Sequence, residues 1–301
     1  MSQDQEQAEL HLAMDELEAG EVAVELDAQE PQEVLAWAID RFGNELGICS
    51  SFQAEGCVLI DMAHRIDPKI RVFTIDTGRT PEETQDLIQR IRDRYNIRIE
   101  TYLPDAGIVQ EMVTRHGVNL FYRDVNARLL CCQVRKVLPL RRALLNYGAW
   151  VTGLRRDQWA TRSDIRKLEL DHDHGGIVKL APLADWTEEE VWSYMREHEV
   201  PYNALYDKGY KSIGCAPCTR AVAEGADARS GRWWWETGAP KECGMHCSIE
   251  TGGFEHELSR LLGDQPKTAP VKANAPAGTA NGIHPAQGLH PAHQAELQKK
   301  H

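Results

Sequence analysis

The chain has 301 residues, a formal net charge of -12 at pH 7 and a sequence pI near 5.5. A protein built mainly to hold nucleic acid needs a surplus of Lys and Arg to neutralise phosphates, and here 46 acidic residues outnumber 34 basic ones. No apolar run reaches the roughly 18 residues of a membrane span, and the first residues are acidic and polar where a secretory signal is basic and then apolar. The expectation is a cytoplasmic protein with one large domain, no membrane and no nucleic-acid partner.

Residues 1–30 are acidic and weakly patterned, and read as a frayed helix or partly disordered arm. A helix is expected over residues 31–44, with Pro31 early and Val34, Leu35, Trp37 and Ala38 on a helical period. A short apolar strand follows at 46–52, then a turn at 53–56, a helix at 58–64 and a second strand at 70–75. Thr80 fits an N-cap, with Pro81 in the first helical position of a helix running to Tyr95. Residues 97–103 read as a strand, 106–116 as a helix, and 150–153 and 177–180 as further strands. This alternation indicates βαβ units, so the fold class is α/β: an open, mostly parallel sheet with helices on both faces. Ligands bind such sheets at the carboxyl ends of the strands, which places a nucleotide at segments 50–55, 76–78 and 152–156. Past Gly263 the chain turns to Ala, Pro, Gly, Asn and Gln, a composition that cannot bury a core. The irregular spacing of His284, His290, His293 and His301 fits a solvated tail better than a metal site.

Eight cysteines in a reducing compartment are read first as metal-binding or catalytic, and only then as disulfides. Cys49 and Cys57 stand alone among apolar residues, as structural thiols do. Cys131-Cys132 and Cys215-Ala216-Pro217-Cys218 make a CC…CxxC set. A CxxC alone fits a thioredoxin-like redox pair or half a zinc site. The vicinal pair argues against both: adjacent Cα atoms lie about 3.8 Å apart and their side chains diverge, which strains two thiolates onto one tetrahedral zinc. The four irons of a cubane let each cysteine ligate a different one, so a [4Fe-4S] cluster accommodates the spacing better, with zinc or four buried free thiols as the alternatives.

Cys131 and Cys132 are expected to open a helix over residues 131–146. Lys136, four residues beyond Cys132, would then share their face and project toward the thiolates, unless the helix is simply a solvated basic one. Downstream, Cys243 has Lys241 on one side and His246 on the other, and either cation lowers a thiol's pKa toward the nucleophilic thiolate. A C-x-x-H alone is a weak signal. Arg229 and Arg232 are spaced to fork around sulfate or phosphate oxygens, and Trp233, Trp234 and Trp235 make a stiff apolar wall beside them. Without neighbouring cysteines the same residues would read as a surface pair and a core anchor.

The segments CCQVRKV (131–137), WVTGLRRDQ (150–158), GCAPCTR (214–220), GRWWWE (231–236) and ECGMH (242–246) together resemble the cluster-containing assimilatory adenylyl sulfate (APS) reductases of the APS/PAPS reductase family. The resemblance covers roughly residues 31–250. It implies an adenine nucleotide alpha-hydrolase-like fold, one [4Fe-4S] cluster per subunit on Cys131, Cys132, Cys215 and Cys218, and Cys243 as the nucleophile on a flexible C-terminal segment. In that family the thiolate attacks the sulfur of APS and expels AMP, leaving a thiosulfonate that thioredoxin or glutaredoxin resolves to release sulfite. Ser50 and Glu55 match the family's phosphate-binding loop, and Asp76 and Gly78 its second nucleotide loop. Lys136, Arg162, Arg229, Arg232 and His246 match positions lining its sulfonucleotide pocket. The implied organisation is an acidic arm (1–30), a nucleotide-binding and cluster domain (31–225), a catalytic-cysteine segment (226–262) and a disordered tail (263–301), with homo-oligomerisation left open.

Two departures stand out: Gly56 replaces the acid usual after Glu55, and Cys247 is an additional thiol. The 3′-phosphorylated nucleotide PAPS, alone or beside APS, is the alternative substrate. ATP pyrophosphatases share the fold but use tandem glycines to bring backbone N–H groups to pyrophosphate, which Ser50-Ser51-Phe52-Gln53 lacks. A non-enzymatic iron–sulfur sensor would leave Cys243 and the paired arginines without a purpose.

Overall fold

Continuous apolar runs suit strands buried on both faces, and two of them form the centre of the sheet. In the computed structural model, which describes residues 14–159, 162–237, 241–242, 244–245 and 254–263, β1 (Leu46–Cys49) and β4 (Ala149–Val151) pair in parallel, Ile48 opposite Val151. β2 (Arg71–Ile75) and β3 (Ile99–Tyr102) extend the sheet beyond β1, while β6 (Ile177–Leu180) and β5 (Leu168–Asp171) extend it beyond β4. The order is β3-β2-β1-β4-β6-β5, parallel throughout except for the antiparallel β5–β6 pair. Strand order therefore reverses between β1 and β4, and the crevice at their carboxyl ends is where such a sheet takes a ligand.

Helices cover both faces. On one, α1 (Glu16–Asp27), α2 (Pro31–Phe42), α3 (Ala54–Ile66) and α8 (Glu188–Glu197) bury Leu26, Leu35, Leu59 and Met195 against Ile48, Val72 and Val178. On the other, Leu140 and Leu144 of α7 (Leu138–Leu144) pack with Phe73, Tyr147 and Trp150. A third apolar cluster joins α5 (Ala106–His116), α6 (Val125–Cys132) and α9 (Glu255–Leu262) through Met112, Leu130 and Leu261, and it includes Cys131, Cys218 and Trp233. No helix among the described residues is long and apolar enough to cross a membrane.

Several expectations need correction. The acidic arm holds an ordered helix: α1 is capped by Asp15, buries Ala19, Ala23 and Leu26, and receives hydrogen bonds from Arg166 and Lys167 at Asp27. The helix after β2 is α4 (Glu82–Tyr95), capped by Pro81 and not by Thr80, because the Thr80 hydroxyl donates to Asp76. Cys131 and Cys132 close α6 and do not open a helix; the true start is Asp124, whose carboxylate accepts the Ala127 N–H. The chain then continues through a π turn, Gln133–Val137, into α7. Pro139 accounts for that turn, since it has no N–H to donate to the carbonyl four residues back and its ring crowds that carbonyl. β5 and α8 were not expected at all, although Thr187 and Glu190 form a reciprocal capping box at the start of α8. The tail past residue 263, and Cys243, His246 and Cys247, lie outside the described residues.

Candidate active site

Three loops surround the crevice. After β1, Phe52 is fully buried with φ +56, a strained conformation for a bulky residue, and its N–H donates to Ser50 Oγ at 3.0 Å. That geometry explains Gly56: a Cβ there would overlap Ser50 Oγ. The loop delivers the N-terminus of α3 to the crevice, where Ala54 N–H donates to the Tyr206 hydroxyl and Ile213 N–H donates to Gln53 Oε1. After β2, Asp76 accepts from Gly78 N–H, Thr80 Oγ1 and Gln85, while Arg135 donates to the Thr77 carbonyl at 2.7 Å. After β4, Arg155 and Gln158 both donate to Glu55 Oε1, at 3.0 and 2.9 Å, tying the third loop to the first. Burial works against the Arg155 charge, but Glu55 and Asp157 more than offset it and its pKa lies above the usual arginine value.

Together these loops enclose a cavity of about 240 Å³. Ser50, Glu55, Asp76, Lys136, Arg162, Arg229 and Arg232 all line it, so seven of the expected substrate contacts meet in one place. Gly78 does not line it; with φ +68 it shapes the turn that folds onto Asp76. The Glu55 carboxylate accepts from Arg155 and Gln158 and so ties two of the loops together. Arg162 and Arg229 both engage Glu242, which also lines the cavity. Arg232 lies with its guanidinium carbon 4.5 Å from the Trp233 ring centroid and donates to Ser212 Oγ, and a Cβ at Gly214 would collide with it.

A smaller cavity adjoins this one. Cys131, Cys132, Cys215 and Cys218 line it together with Arg79, Arg128, Arg135, Phe121 and Pro217. Lys136, Cys215, Arg232 and Trp233 border both cavities. The CxxC turn is fastened to the loop after β2, with Thr77 Oγ1 at 3.2 Å from Cys215 Sγ and Ala216 N–H donating to the Arg79 carbonyl. Trp233 and Trp235 back this cavity, the latter edge-on to Tyr122 at 4.5 Å. Burial raises the Cys131 thiol and pushes Cys218 up to about 12, opposed in both cases by cations that include Lys136. All four cysteines line this one space, and among the described residues no three His, Cys, Asp or Glu side chains are gathered to hold a single ion. Four thiols around a space ringed by cations fit a polynuclear anionic group. Cys49 lines the larger cavity, but burial pushes its thiol up to about 12, far from a reactive thiolate.

Arg155, Gln158, Arg135, Thr77 and Glu242 lie within segments the sequence singled out but were not named among the expected site residues. The first two stand inside the segment that follows β4, and Glu242 directly precedes Cys243, so position offered a hint; the partners that lie 58 to 103 residues away, Thr77 for Arg135, Arg162 for Glu242 and Glu55 for Arg155 and Gln158, offered none.

The phosphoadenosine phosphosulfate reductase domain family matches residues 45–221. An adenosine 5′-phosphosulfate reductase of Allochromatium vinosum is 50% identical over 197 residues, spanning 65% of this chain and 77% of that relative. One of Burkholderia cepacia is 43% identical over 238 residues, 79% of this chain and 88% of the relative. The crystal structure of phosphoadenylyl-sulfate (PAPS) reductase from Candida auris, a phosphate complex, is 30% identical with a TM-score of 0.60, covering 69% of this chain and 98% of that one. The open, mostly parallel sheet is accordingly that of an adenine nucleotide alpha-hydrolase-like fold. By its sequence match and its sheet alike, this chain belongs to the phosphoadenosine phosphosulfate reductase domain family, the APS/PAPS reductases that its motifs resemble.

Proposed function

We propose that this protein is an oxidoreductase that reduces APS to sulfite and AMP in sulfate assimilation. The observation that carries this reading is the convergence of Lys136, Arg162, Arg229 and Arg232 on one cavity at the β1/β4 switch point, beside the cavity of four cysteines. Attack of a thiolate on a sulfate sulfur must overcome repulsion from the sulfate oxygens, so cations around them lower the barrier. The names of the bacterial relatives point to APS as the nucleotide.

Cys243 is the nucleophile. Glu242 and Met245, its neighbours along the chain, both line the cavity, which supports a reacting thiol supplied from this segment. Its thiolate forms an S–S bond to the sulfate sulfur while the bond to the AMP phosphate oxygen breaks, and AMP leaves with that electron pair. A dithiol protein of the thioredoxin or glutaredoxin class then displaces sulfite: one of its thiols attacks Cys243 Sγ, the second closes a disulfide, and the two electrons pass to sulfur. The 50–53 loop and the α3 N-terminus hold the nucleotide phosphate, and Lys136 bridges substrate and cysteine cavity. Cys131, Cys132, Cys215 and Cys218 would hold a [4Fe-4S] cluster, for which the ring of Arg79, Arg128, Arg135, Lys136 and Arg232 supplies compensating charge. When bound, such a cluster supplies iron–thiolate bonds that clamp the end of α6 to the CxxC turn, and a negative charge for Lys136 to face. Thiols of this kind stay reduced in a compartment such as the cytoplasm.

The test is anaerobic sulfite release from APS with reduced thioredoxin. A 3′-phosphate needs further cationic donors near the ribose, and in this reading the Arg and Lys residues of the cavity are accounted for by the sulfate and the α-phosphate. The expected kcat/KM ratio of APS over PAPS is therefore at least about tenfold. A ratio near one would make this a dual-specificity reductase.

A further inference from the structure

The two residues that precede Cys243 are held with unusual completeness. Glu242 accepts from Arg162 through both carboxylate oxygens, Nε to Oε1 at 3.1 Å and Nη2 to Oε2 at 3.0 Å, and Oε2 also receives Arg229 Nη2 at 3.3 Å. Its side chain is only 7% exposed. The backbone is fixed too: Arg128 donates to the Glu242 carbonyl at 2.6 Å, and Arg229 to the Lys241 carbonyl. Lys241 Nζ donates to the carbonyls of Arg232 and Trp233, at 2.8 and 3.0 Å. Arg128 is itself immobilised, paired with Glu236 at 2.8 Å and stacked over Trp233.

We infer that Glu242 is a positioning residue, docking the segment that carries Cys243 onto the Arg162 and Arg229 guanidiniums so that the nucleophile's chain is registered against the sulfonucleotide cavity. The inference rests on the reading of Cys243 as nucleophile. A two-point guanidinium–carboxylate fork fixes orientation as well as distance, which a single ion pair does not. The arginines come from separate parts of the chain, the loop after β4 and the turn before the tryptophans, so one carboxylate ties the segment to two walls of the cavity. A carboxylate that merely filled the place of the substrate's anion would require only the Arg contacts. The additional grip on both backbone carbonyls and on Lys241 marks the segment itself as the object held. Near-attack geometry tolerates errors of about an ångström poorly, and Glu242 acts on rate through that tolerance.

Glu242→Gln keeps the shape and removes the charge. In the full-length, cluster-loaded protein it is expected to speed tryptic cleavage after Lys241 by about fivefold or more beyond the change the same substitution makes in the urea-unfolded chain, because cleavage of the folded protein follows opening of the segment. Single-turnover formation of the Cys243 sulfonate from APS without reductant should slow by about tenfold or more, while the Kd of AMP stays within about threefold of wild type. An adduct rate within about twofold of wild type would overturn the positioning role, whatever the cleavage rate. So would a loss of AMP affinity as large as the loss of rate, which would make the carboxylate a shaper of the pocket only. Tighter AMP binding with an undiminished rate would make it a placeholder for the substrate anion. Should Glu242→Gln lose its iron, Glu242→Asp, with the charge one methylene short, carries the same expectations. If the wild type forms no adduct on Cys243, the nucleophile reading fails, and cleavage at Lys241 still decides whether Glu242 anchors the segment.

Discussion

The two adjoining cavities share Lys136, Cys215, Arg232 and Trp233, yet their walls differ. The larger is walled by loops at strand ends, and its Arg162 and Arg229 are tied to the side-chain carboxylate of Glu242 in the same wall. The smaller is walled by a helix end, a CxxC turn and aromatic rings, and its guanidiniums are engaged with protein: Arg128 with Glu236 and Glu242, Arg135 with the Thr77 carbonyl. Arginine is held by protein in both, by the Glu242 carboxylate in the larger cavity and by Glu236 and backbone carbonyls in the smaller.

The sharpest way to separate the two cavities is to remove one sulfur from each reading. Cys243→Ser should lower turnover by about 10⁴-fold or more, since a serine hydroxyl is far less acidic than a thiol and a poorer nucleophile, and should leave about four irons per chain. Cys218→Ser should instead lose iron, because a hydroxyl replaces thiolate poorly at a soft metal. Iron analysis beside a sulfite assay reads both; equal iron loss in the two variants would break the comparison. Lys136 borders both spaces, and Lys136→Ala should lower kcat/KM for APS by roughly 10²-fold, the scale of losing one donor to developing charge. Lys136→Arg should recover part of that loss, and a fall in iron content with Lys136→Ala would move its role to the cysteine cavity.

How far these features were legible depended on range. Local signals located β2, β6 and α5 almost to the residue, because apolar alternation, Asp105 as a cap and Gly117 as a stop all act within a few residues. Ser50, Asp76, Lys136, Arg162, Arg229 and Arg232 were legible as a site through motif resemblance, and the structure brings them to one cavity. Glu55 was legible as a lining residue but not as the tie between two loops, since its partner Arg155 lies 100 residues on and only tertiary structure brings the two together. The π turn at 133–137 escaped because a single proline, Pro139, sets it from downstream. β5 escaped because Glu169 and Asp171 make it look polar, although Lys179 on the neighbouring strand pairs with Glu169 at 2.6 Å.

The smallest expected effect lies behind the crevice, in a carboxylate that takes no part in the chemistry. Asp61 of α3 is buried and accepts from Tyr194 at 2.7 Å, Tyr95 at 2.9 Å and Arg65 at 2.7 Å, so three elements meet at one acid. Burial alone would raise its pKa, but hydrogen bonds from Arg65, Tyr194 and Tyr95 outweigh burial and hold it below the usual aspartate value. A carboxylate with a depressed folded-state pKa stabilises the fold above the unfolded value of about 3.9, and that contribution is lost as pH falls through the folded value. Asp61→Asn keeps an acceptor but removes the charge and forces an amide donor against hydroxyls, which costs about 1–3 kcal/mol. Urea unfolding at pH 7 should show that loss, and the gap between variant and wild type should narrow as pH drops below about 4. Because Asp61 touches neither cavity, kcat/KM of the folded variant should stay within about threefold of wild type. A stability gap that does not change between pH 7 and about 3 would mean that the three donors hold Asp61 by shape and not by charge.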